Sequence, residues 1–530
     1  MYMEPILRYS VLKYLSRIER AQQFLHIYDQ IAGIPGGDLD FEVDLPDTEG
    51  SSENGIIVFP HTHLPIHTYK YSVLGSAFAL RGYDSIFIIP DDTDMLCNIG
   101  IVEDDYYEAK SEGIQYINEK ILNKFGHNWI YLSDYTDDVS SPHIHDSMGE
   151  EELQMFAKAS ARKATKRYHL DSEGDRELVN KFYNRGITLT GIFERIYNSY
   201  NIVAVISHDD KYNLGGIPLD IASKRGIPAY SSTLGWRTDS LMMSNVGDRN
   251  SFPHFEDLDL IRKYLKKPLN NHQRRRIEMI MENRMAGAED VRVKYSSHTE
   301  LTPDINTNKI VIGMFTNLIW DASLEVSESP FPDVFEWIST TIENLADQSE
   351  VELIIKTHPA EERFGTNESI YSWINDNYPY LSANITVLPP DTEVDTYALI
   401  DLLDAGIVYN STVGLEMAYC GIPVVTAGNT HYRNLNITYD PESKEGYLEY
   451  INRIGELEMD SRMRRRAERY TYFLFEVKHL SFPFINNSES EEKFRSISRD
   501  DIRKGNKILN SLVNDIIQGN PVLSTGLAKN

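Results

Sequence analysis

The strongest constraint on the fold is a repeated pattern in which a short apolar segment is followed by a polar turn and then by a helical pattern. Residues 353–359 (LIIKTHP) and 406–425 (GIVYNSTVGLEMAYCGIPVV) show it most clearly. Pro359 prevents the first strand from continuing, and Gly421 ends the helix that follows the second strand. Because parallel strands are joined by helical crossovers, this pattern predicts a parallel α/β sheet whose strand ends share one crevice.

The same pattern occurs in the first half of the chain. Apolar segments at 55–60, 85–90 and 202–207 read as strands, with a helical pattern at 67–81. A chain of 530 residues also exceeds the size of about 250 to 300 residues at which one core stops growing. The predicted fold class is therefore α/β, with two Rossmann-like domains facing a cleft and with helical additions.

The domain boundaries follow from breaks in these patterns. The predicted segments are an N-terminal helical segment with an acidic linker (1–54), a first α/β domain with a helical insertion (55–300), a second α/β domain (301–443), and a helical tail that can cross back to the first domain (444–530).

Charge narrows the range of partners. The chain has 80 acidic and 52 basic residues, a net charge of −28. Such a surface repels a phosphate backbone, so we expect no nucleic-acid partner. Adaptation to high salt is one explanation of this acidity, and simple solubility is the other. The basic runs 274–276 and 462–466 read as solvated helix faces, with docking to an anionic glycan or a membrane surface as the alternative.

Two further features indicate where the protein works. Its two cysteines, Cys97 and Cys420, exclude a disulfide framework. No segment approaches the roughly 20 apolar residues of a membrane span, and residues 1–20 carry charges throughout their apolar pattern. We therefore expect a cytoplasmic protein, with a peripheral position at the inner face of the membrane as the alternative.

Polar residues at the strand ends of the second domain suit a nucleotide. The amide groups and dipole of a helix N-terminus favour an anion. His358 adds a donor that is charged when protonated, and Glu416 is placed to accept from ribose hydroxyls. Structural roles are the alternatives: an N-cap, a turn histidine, a solvated lysine or an exposed helix residue. The predicted nucleotide-donor residues are Lys356, His358, Pro359, Asn410, Ser411, Thr412, Glu416 and, from the loop after the preceding strand, Asn317.

Two loops of the first domain carry candidate catalytic groups. His61, His63 and His67 lie between a strand and a helix, but no carboxylate or cysteine completes a metal-ligand spacing. We therefore predict no metal and no cofactor, and assign His67 to acceptor binding or general-base catalysis. Asp209, in the loop after the strand at 202–207, is the first choice for the catalytic base.

These residues resemble the capsule polysaccharide biosynthesis family of Kps and Lip type, which includes Kdo transferases that use a CMP-activated sugar. Bacterial sialyltransferases, polysialyltransferases and teichoic-acid glycerophosphotransferases have a comparable pattern of His-Pro and Ser/Thr. The resemblance covers about residues 308–429. It implies a GT-B-like glycosyltransferase fold, with the donor phosphate held by His358, Ser411 and Thr412.

The chain also departs from related patterns. The acidic signature that supplies the base in the sialyltransferases has no clear match, so the base is not implied by the resemblance. A UDP-GlcNAc 2-epimerase would carry a Glu-Arg-Pro-Glu-like run after Val425, where residues 427–431 read AGNTH instead. No GxGxxG supports a dehydrogenase.

The sequence therefore predicts a glycosyltransferase of capsular or cell-surface polysaccharide synthesis. It would transfer a sugar from a nucleotide donor, with a CMP-linked sugar as the first choice, to a glycan or lipid-linked acceptor. Two alternatives stay open: a polyol-phosphate transferase of the CDP-glycerol type, and a non-catalytic polysaccharide-binding or export protein.

Overall fold

The structure is a computed structural model that describes residues 41–45, 54–61, 64–91, 105–136, 147–247, 256–286, 305–321, 329–488 and 491–524. Most of the predicted N-terminal helical segment and acidic linker (1–54) lies outside these ranges, as do His63 and Cys97.

Strands and helices alternate along most of the described chain. The strands are β1 (Val43–Asp44), β2 (Ile56–Phe59), β3 (Asp84–Ile89), β4 (Trp129–Tyr131), β5 (Ile202–Ser207), β6 (Ala229–Leu234), β7 (Ser240–Asn245), β8 (Ile310–Phe315), β9 (Val351–Lys356), β10 (Ile385–Leu388), β11 (Ala405–Val408), β12 (Val424–Thr426), β13 (Leu480–Ser481), β14 (Ile485–Ser488), β15 (Glu491–Phe494) and β16 (Ile497–Ser498). The helices are α1 (Pro65–Ala79), α2 (Asp105–Phe125), α3 (Glu150–Thr165), α4 (Glu173–Ser199), α5 (Asn213–Lys224), α6 (Leu258–Lys266), α7 (Asn271–Met285), α8 (Val334–Leu345), α9 (Ala360–Arg363), α10 (Ile370–Asn377), α11 (Thr396–Ile400), α12 (Val413–Cys420), α13 (Lys444–Ile451), α14 (Ser461–Tyr472), α15 (Arg499–Ile502) and α16 (Lys507–Ile517).

The chain divides into two compact units. Unit 1 comprises Met1–Thr165, Asp171–Asp248 and Lys478–Asn530, as far as these residues are described. Unit 2 comprises Lys166–Leu170 and Arg249–Val477. The units change at 249 and 478, whereas the sequence predicted a boundary at 300/301 between the two α/β domains and a helical tail from 444; helices α6 and α7 belong to unit 2.

Unit 1 is built on a seven-stranded sheet of order β13-β7-β6-β5-β2-β3-β4. The five strands from β6 to β4 are parallel. At one edge of the sheet, β7 pairs antiparallel with β6, and β13 pairs antiparallel with β7. Counted along the chain, the parallel strands have the order 3-2-1-4-5 of a doubly wound sheet. The chain direction switches between β2 and β5, which are neighbours.

Unit 2 repeats this arrangement with a five-stranded parallel sheet of order β10-β9-β8-β11-β12. Its switch point lies between β8 and β11. The predicted fold class, α/β with two Rossmann-like sheets, is confirmed.

Both sheets are covered on their two faces, because successive side chains of a strand point to opposite sides. In β2, Ile57 and Phe59 join one core cluster and Val58 joins another. In β8, Ile312 and Met314 are likewise separated from Val311. This explains why the strands read as continuous apolar runs.

Two parts of the sequence prediction are wrong in detail. The helical insertion predicted within 55–300 is interrupted by β4, which lies at the edge of the first sheet. The tail from 444, also predicted as helical, contains β13 to β16. Strands of two to four residues complete too few alternations to show a period of two, so their pattern is not visible in the sequence.

The two basic runs are largely tied into unit 2. Arg274 and Arg276 pair with Glu468 and Glu476, and Arg466 Nη1 donates to the carbonyl oxygen of Leu435 at 2.8 Å. These contacts favour the interpretation as structural helix faces.

The net charge of −28 leads to a first prediction. Raising KCl from about 0.1 M to about 1 M shortens the screening length from about 10 Å to about 3 Å. Because repulsion between like charges opposes the compact state, the melting temperature should rise over this range. A melting temperature that falls with added KCl would show that attractive ion pairs outweigh the repulsion; sucrose, which is uncharged, is the control.

Candidate functional site

The loops that follow β8 and β11 meet at the switch point of the second sheet. Phe315 at the end of β8 is in register with Val408 of β11 and with Lys356 of β9. The backbone N–H of Asn410 donates to the side-chain oxygen of Asn317 at 3.1 Å. The structure thus brings together two residues that the sequence predicted to share a crevice.

Helix α12 begins directly beyond this contact. Ser411 Oγ accepts the backbone N–H of Val413 at 3.3 Å, whereas the side chain of Thr412 makes no capping hydrogen bond. Gly421 ends the helix with a left-handed φ of +89°, as predicted. The phenol of Tyr432 donates to the carbonyl oxygen of Ser411 at 2.6 Å and fixes the turn from outside.

Gly414, in the first turn of α12, is required by this close packing. A Cβ there would lie 2.1 Å from Tyr432 Oη and 2.9 Å from Val408 Cγ2. Gly414→Ala should therefore lower the stability of unit 2 by about 1–3 kcal/mol, through overpacking, in urea unfolding.

Gly446 offers a matched control. It also lies in the first turn of an eight-residue helix of unit 2, but a Cβ there would meet nothing closer than 3.6 Å. Gly446→Ala should be neutral or stabilising. Equal effects of the two substitutions would contradict the packing argument.

His358 lies in the turn after β9 and is neutral at pH 7. Burial, opposed by Asp321 and assisted by Lys356, lowers the pKa of its imidazole to about 4. Nδ1 accepts the backbone N–H of Ala360 at 3.1 Å, so the neutral ring carries its proton on Nε2. The sequence suggested a donor that becomes charged, whereas the structure shows a neutral N–H donor of fixed tautomer.

Lys356 is buried, with 3% of its surface exposed, so the alternative of a solvated lysine is wrong. Burial lowers the pKa of its ammonium to about 8, against the attraction of Asp395. Asp395 itself is held by the backbone N–H groups of Tyr397 and Ala398, each at 2.8 Å. Lys356 is therefore mostly protonated at pH 7, in a poorly solvated position where its charge acts strongly on an anion.

Glu416 is only 1% exposed and already has protein partners. Arg284 Nε donates to its Oε1 at 2.6 Å, and Tyr397 hydrogen-bonds the same carboxylate. The carboxylate thus joins α12 to α7 and α11. A ribose ligand at Glu416 stays a prediction, and it requires the carboxylate to be shared with Arg284 and Tyr397.

Sequence reasoning missed three residues that shape this site: Arg284, Asp395 and Tyr432. Each lies outside the two motifs and reaches the site only through tertiary packing. The one local signal is Gly414, because a glycine inside an otherwise good helix often marks a close contact.

A second polar cluster lies at the carboxyl edge of the first sheet, again at its switch point. His61, after β2, lies 2.9 Å from Ser207 Oγ at the end of β5. Burial, with Lys70 and Lys163, lowers the pKa of His61 to about 3. Ser207 Oγ donates to the carbonyl oxygen of Asp209 at 3.0 Å. Because the Ser207 hydroxyl already donates within its own loop, we interpret the pair of Ser207 and His61 as structural.

His67 joins the same cluster from the first turns of α1. Its ring stacks on that of His208, with centroids 3.4 Å apart. Nδ1 of His208 lies 3.2 Å from the carbonyl oxygen of Ser232, which also accepts from the buried Lys70 ammonium at 2.6 Å. The two predicted catalytic residues, His67 and Asp209, therefore approach the same sheet edge on neighbouring elements.

Asp209 is partly exposed and held from two sides. Its Oδ1 accepts the backbone N–H of Lys211 at 2.9 Å, and its Oδ2 lies 3.8 Å from Lys163 Nζ. Burial raises the pKa of this carboxyl, while Lys163 opposes the increase. Among the described residues of both units, no three His, Cys, Asp or Glu side chains are grouped to hold a metal ion.

The chain was compared with curated proteins, with solved structures and with protein families. A sequence comparison with curated proteins finds no match. Among solved structures, a KpsC β-Kdo 2,4-transferase of Thermosulfurimonas dismutans is 14% identical, and the match covers 60% of this chain and 88% of that chain with a TM-score of 0.37. The spinosyn rhamnosyltransferase SpnG is 10% identical, and the match covers 79% of this chain and 95% of that chain with a TM-score of 0.28. A UDP-GlcNAc 2-epimerase of Neisseria meningitidis is 11% identical, and the match covers 79% of this chain and 95% of that chain with a TM-score of 0.26.

TM-scores this low support no residue-level comparison, and the family match is more informative. Residues 266–472 match the model of a family described as capsule polysaccharide biosynthesis protein. The segment lies within unit 2 and contains every residue predicted to bind the nucleotide donor. The resemblance to the capsule polysaccharide biosynthesis family is thereby confirmed over residues 266–472.

Proposed function

We propose that this protein is a glycosyltransferase of capsular or cell-surface polysaccharide synthesis, using a nucleotide-linked sugar and most simply a CMP-linked one. The observation that carries the proposal is that β9, β8 and β11 are in register at Lys356, Phe315 and Val408, so that His358 and the start of α12 follow strands that end at the same edge of the sheet. These strands lie within the segment that matches the capsule family.

The donor phosphate would bind next to Lys356, His358 and the start of α12. The Nε2–H of His358 donates to a phosphate oxygen, and the Lys356 ammonium supplies positive charge. The amide groups and dipole at the start of α12, with Ser411 and Thr412, stabilise the negative charge that grows as the bond to the sugar breaks. Asn317, Asn410 and Pro359 shape the surrounding turns.

The acceptor would be activated from unit 1. A hydroxyl of the acceptor attacks the anomeric carbon, its proton passes to Asp209, and the bond from that carbon to the donor phosphate breaks. The electron pair leaves with the nucleotide, on the oxygen bound by His358. His67, stacked on His208, would orient the acceptor hydroxyl.

The acceptor class is a glycan or a lipid-linked glycan, reached by peripheral association with a membrane-bound synthesis or export complex. In the part of the chain that the structure describes, no helix is long and apolar enough to cross a membrane.

A thermal-shift screen tests the donor class. CMP, CDP, UDP, UMP, GDP and dTDP are compared at low and high salt, because a ligand that binds the native state alone raises the melting temperature. A cytidine-selective shift supports the CMP-linked donor. A uridine or guanosine preference keeps the transferase and overturns the CMP donor, whereas no response to any nucleotide favours the binding or export alternative.

Turnover then separates the two transferase reactions. Consumption of a CMP-sugar with release of CMP supports sugar transfer. Consumption of CDP-glycerol with release of CMP would instead show attack at phosphorus, and the protein would be a polyol-phosphate transferase.

A further inference from the structure

Lys163 is the charged residue that reaches Asp209 from another element of unit 1. It lies near the end of α3, and its Nζ is 3.8 Å from Asp209 Oδ2. The same ammonium lies over the ring of Tyr212, 3.8 Å from the ring centroid. A cation above an aromatic face is attracted to it, so Tyr212 restricts where the Lys163 side chain can point.

The backbone around Asp209 is equally restricted. Its Oδ1 is occupied by the N–H of Lys211 and its carbonyl oxygen by Ser207 Oγ. A Cβ at Gly215 would lie 2.0 Å from that carbonyl oxygen, so α5 packs directly against the loop. With Oδ1 engaged and the loop packed, Oδ2 is the oxygen that faces Lys163.

The groups around the Asp209 carboxyl have opposite effects on its pKa. Burial and the neighbouring Asp210 favour its neutral form, and Lys163 and Lys211 favour the carboxylate. Tyr71, from α1, also lies close enough to interact with it. Lys211 has a second acidic neighbour, Asp210, at 3.8 Å. Lys163 is thus the cation from outside the loop that maintains the charge of Asp209.

We propose that Lys163 is a positioning residue that keeps Asp209 ionised and directs its Oδ2 during acceptor activation. The inference rests on the proposed transferase function, since a base must be ionised before it accepts a proton. Lys163 exchanges no proton in the step. When Asp209 accepts the acceptor proton, its charge is lost while Lys163 stays protonated, which favours release of the proton before the next turnover.

The test measures ionisation and turnover in the same variants. In Lys163→Met the pKa of Asp209 should rise, so the acidic limb of the pH profile of kcat/KM should move upward by about one pH unit. Lys163→Arg should restore the wild-type limb. Lys158→Met is the matched control, because Lys158 is an exposed lysine on the same helix and its loss should leave the profile unchanged.

A direct titration gives a readout that does not depend on turnover. Aspartate labelled with ¹³C at Cγ is followed by NMR in the full chain, and Asp209→Asn identifies the Asp209 signal by difference. The midpoint of that signal should rise by about one pH unit in Lys163→Met. Circular dichroism confirms that each variant is folded.

The outcomes separate this inference from the proposed function. An active wild type whose profile and titration do not move in Lys163→Met overturns the role of Lys163 alone. A wild type that transfers no sugar from any nucleotide overturns both, whatever the titration shows. A moved limb and midpoint, both restored by arginine, support the inference.

Discussion

Replacing His358 by alanine should lower kcat for the nucleotide donor by about 10²-fold or more, because in the proposed donor site the variant lacks the N–H that would donate to the departing phosphate. The loss should appear in kcat rather than in KM alone, since negative charge grows on the phosphate as the sugar bond breaks. Initial rates at saturating and limiting donor measure the two constants. His272→Ala, which removes an exposed histidine of the same unit, is the control.

Two conservative substitutions separate the structural and chemical roles of this side chain. Asparagine places its carbonyl oxygen near the position of Nδ1, so His358→Asn should keep the contact with Ala360 N–H and the stability of the turn. Glutamine reaches the position of Nε2, so His358→Gln should retain part of the turnover. Full activity in His358→Asn would remove His358 from the donor site and leave it a turn residue.

The ion pair between Arg284 and the buried Glu416 should give the largest stability effect. Burial opposes the charge of Arg284, but Glu416 and Tyr397 outweigh it and hold the pKa of the guanidinium above its ordinary value. Arg284→Met would leave a carboxylate that is 1% exposed without its cation, at a cost of about 3 kcal/mol or more. Urea unfolding of unit 2 measures this loss.

A double substitution shows whether the loss comes from the orphaned charge. Arg284→Met combined with Glu416→Gln removes both charges and should recover most of the stability. No recovery in the double variant would mean that Arg284 acts through packing, including its contact with the Phe475 ring at 5.2 Å.

The same variants test the predicted ribose contact. Glu416→Gln keeps an acceptor oxygen but loses the charge that holds Arg284 in place. If Glu416 also binds the ribose, the donor KM should rise in this variant while kcat changes little. An unchanged KM with reduced stability would assign Glu416 to structure alone.

The central strands could be predicted from sequence because they are buried on both faces. The strand β5 has the predicted ends at 202 and 207, since an apolar run flanked by polar or turn residues leaves little choice of register. The short edge strands, such as β13, could not be predicted, because two residues carry no periodicity. Their position depends on pairing with β7, which lies far away in the sequence.

The positions of the candidate site residues could be predicted only where those residues directly follow a predicted strand. His358 and Ser411 stand at strand ends, and topology brings such ends together. The neutral state of His358 could not be read from the sequence, because burial and the Ala360 contact set it. Arg284 was missed for a related reason: an arginine on a polar helix gives no sign that its partner is a buried carboxylate on α12.

The interrupted path of the chain has a consequence for biosynthesis. Unit 1 needs residues beyond Lys478 for an outer strand and for helix α16, which contributes Leu509, Leu512 and Ile516 to its main core cluster. The long segment of unit 2 is finished by Val477. On the ribosome the later unit can therefore complete its core first. Until then, apolar sheet residues of unit 1 such as Ile57 and Phe59 are incompletely covered. We therefore expect unit 1 to be the part of the nascent chain that depends most on chaperones.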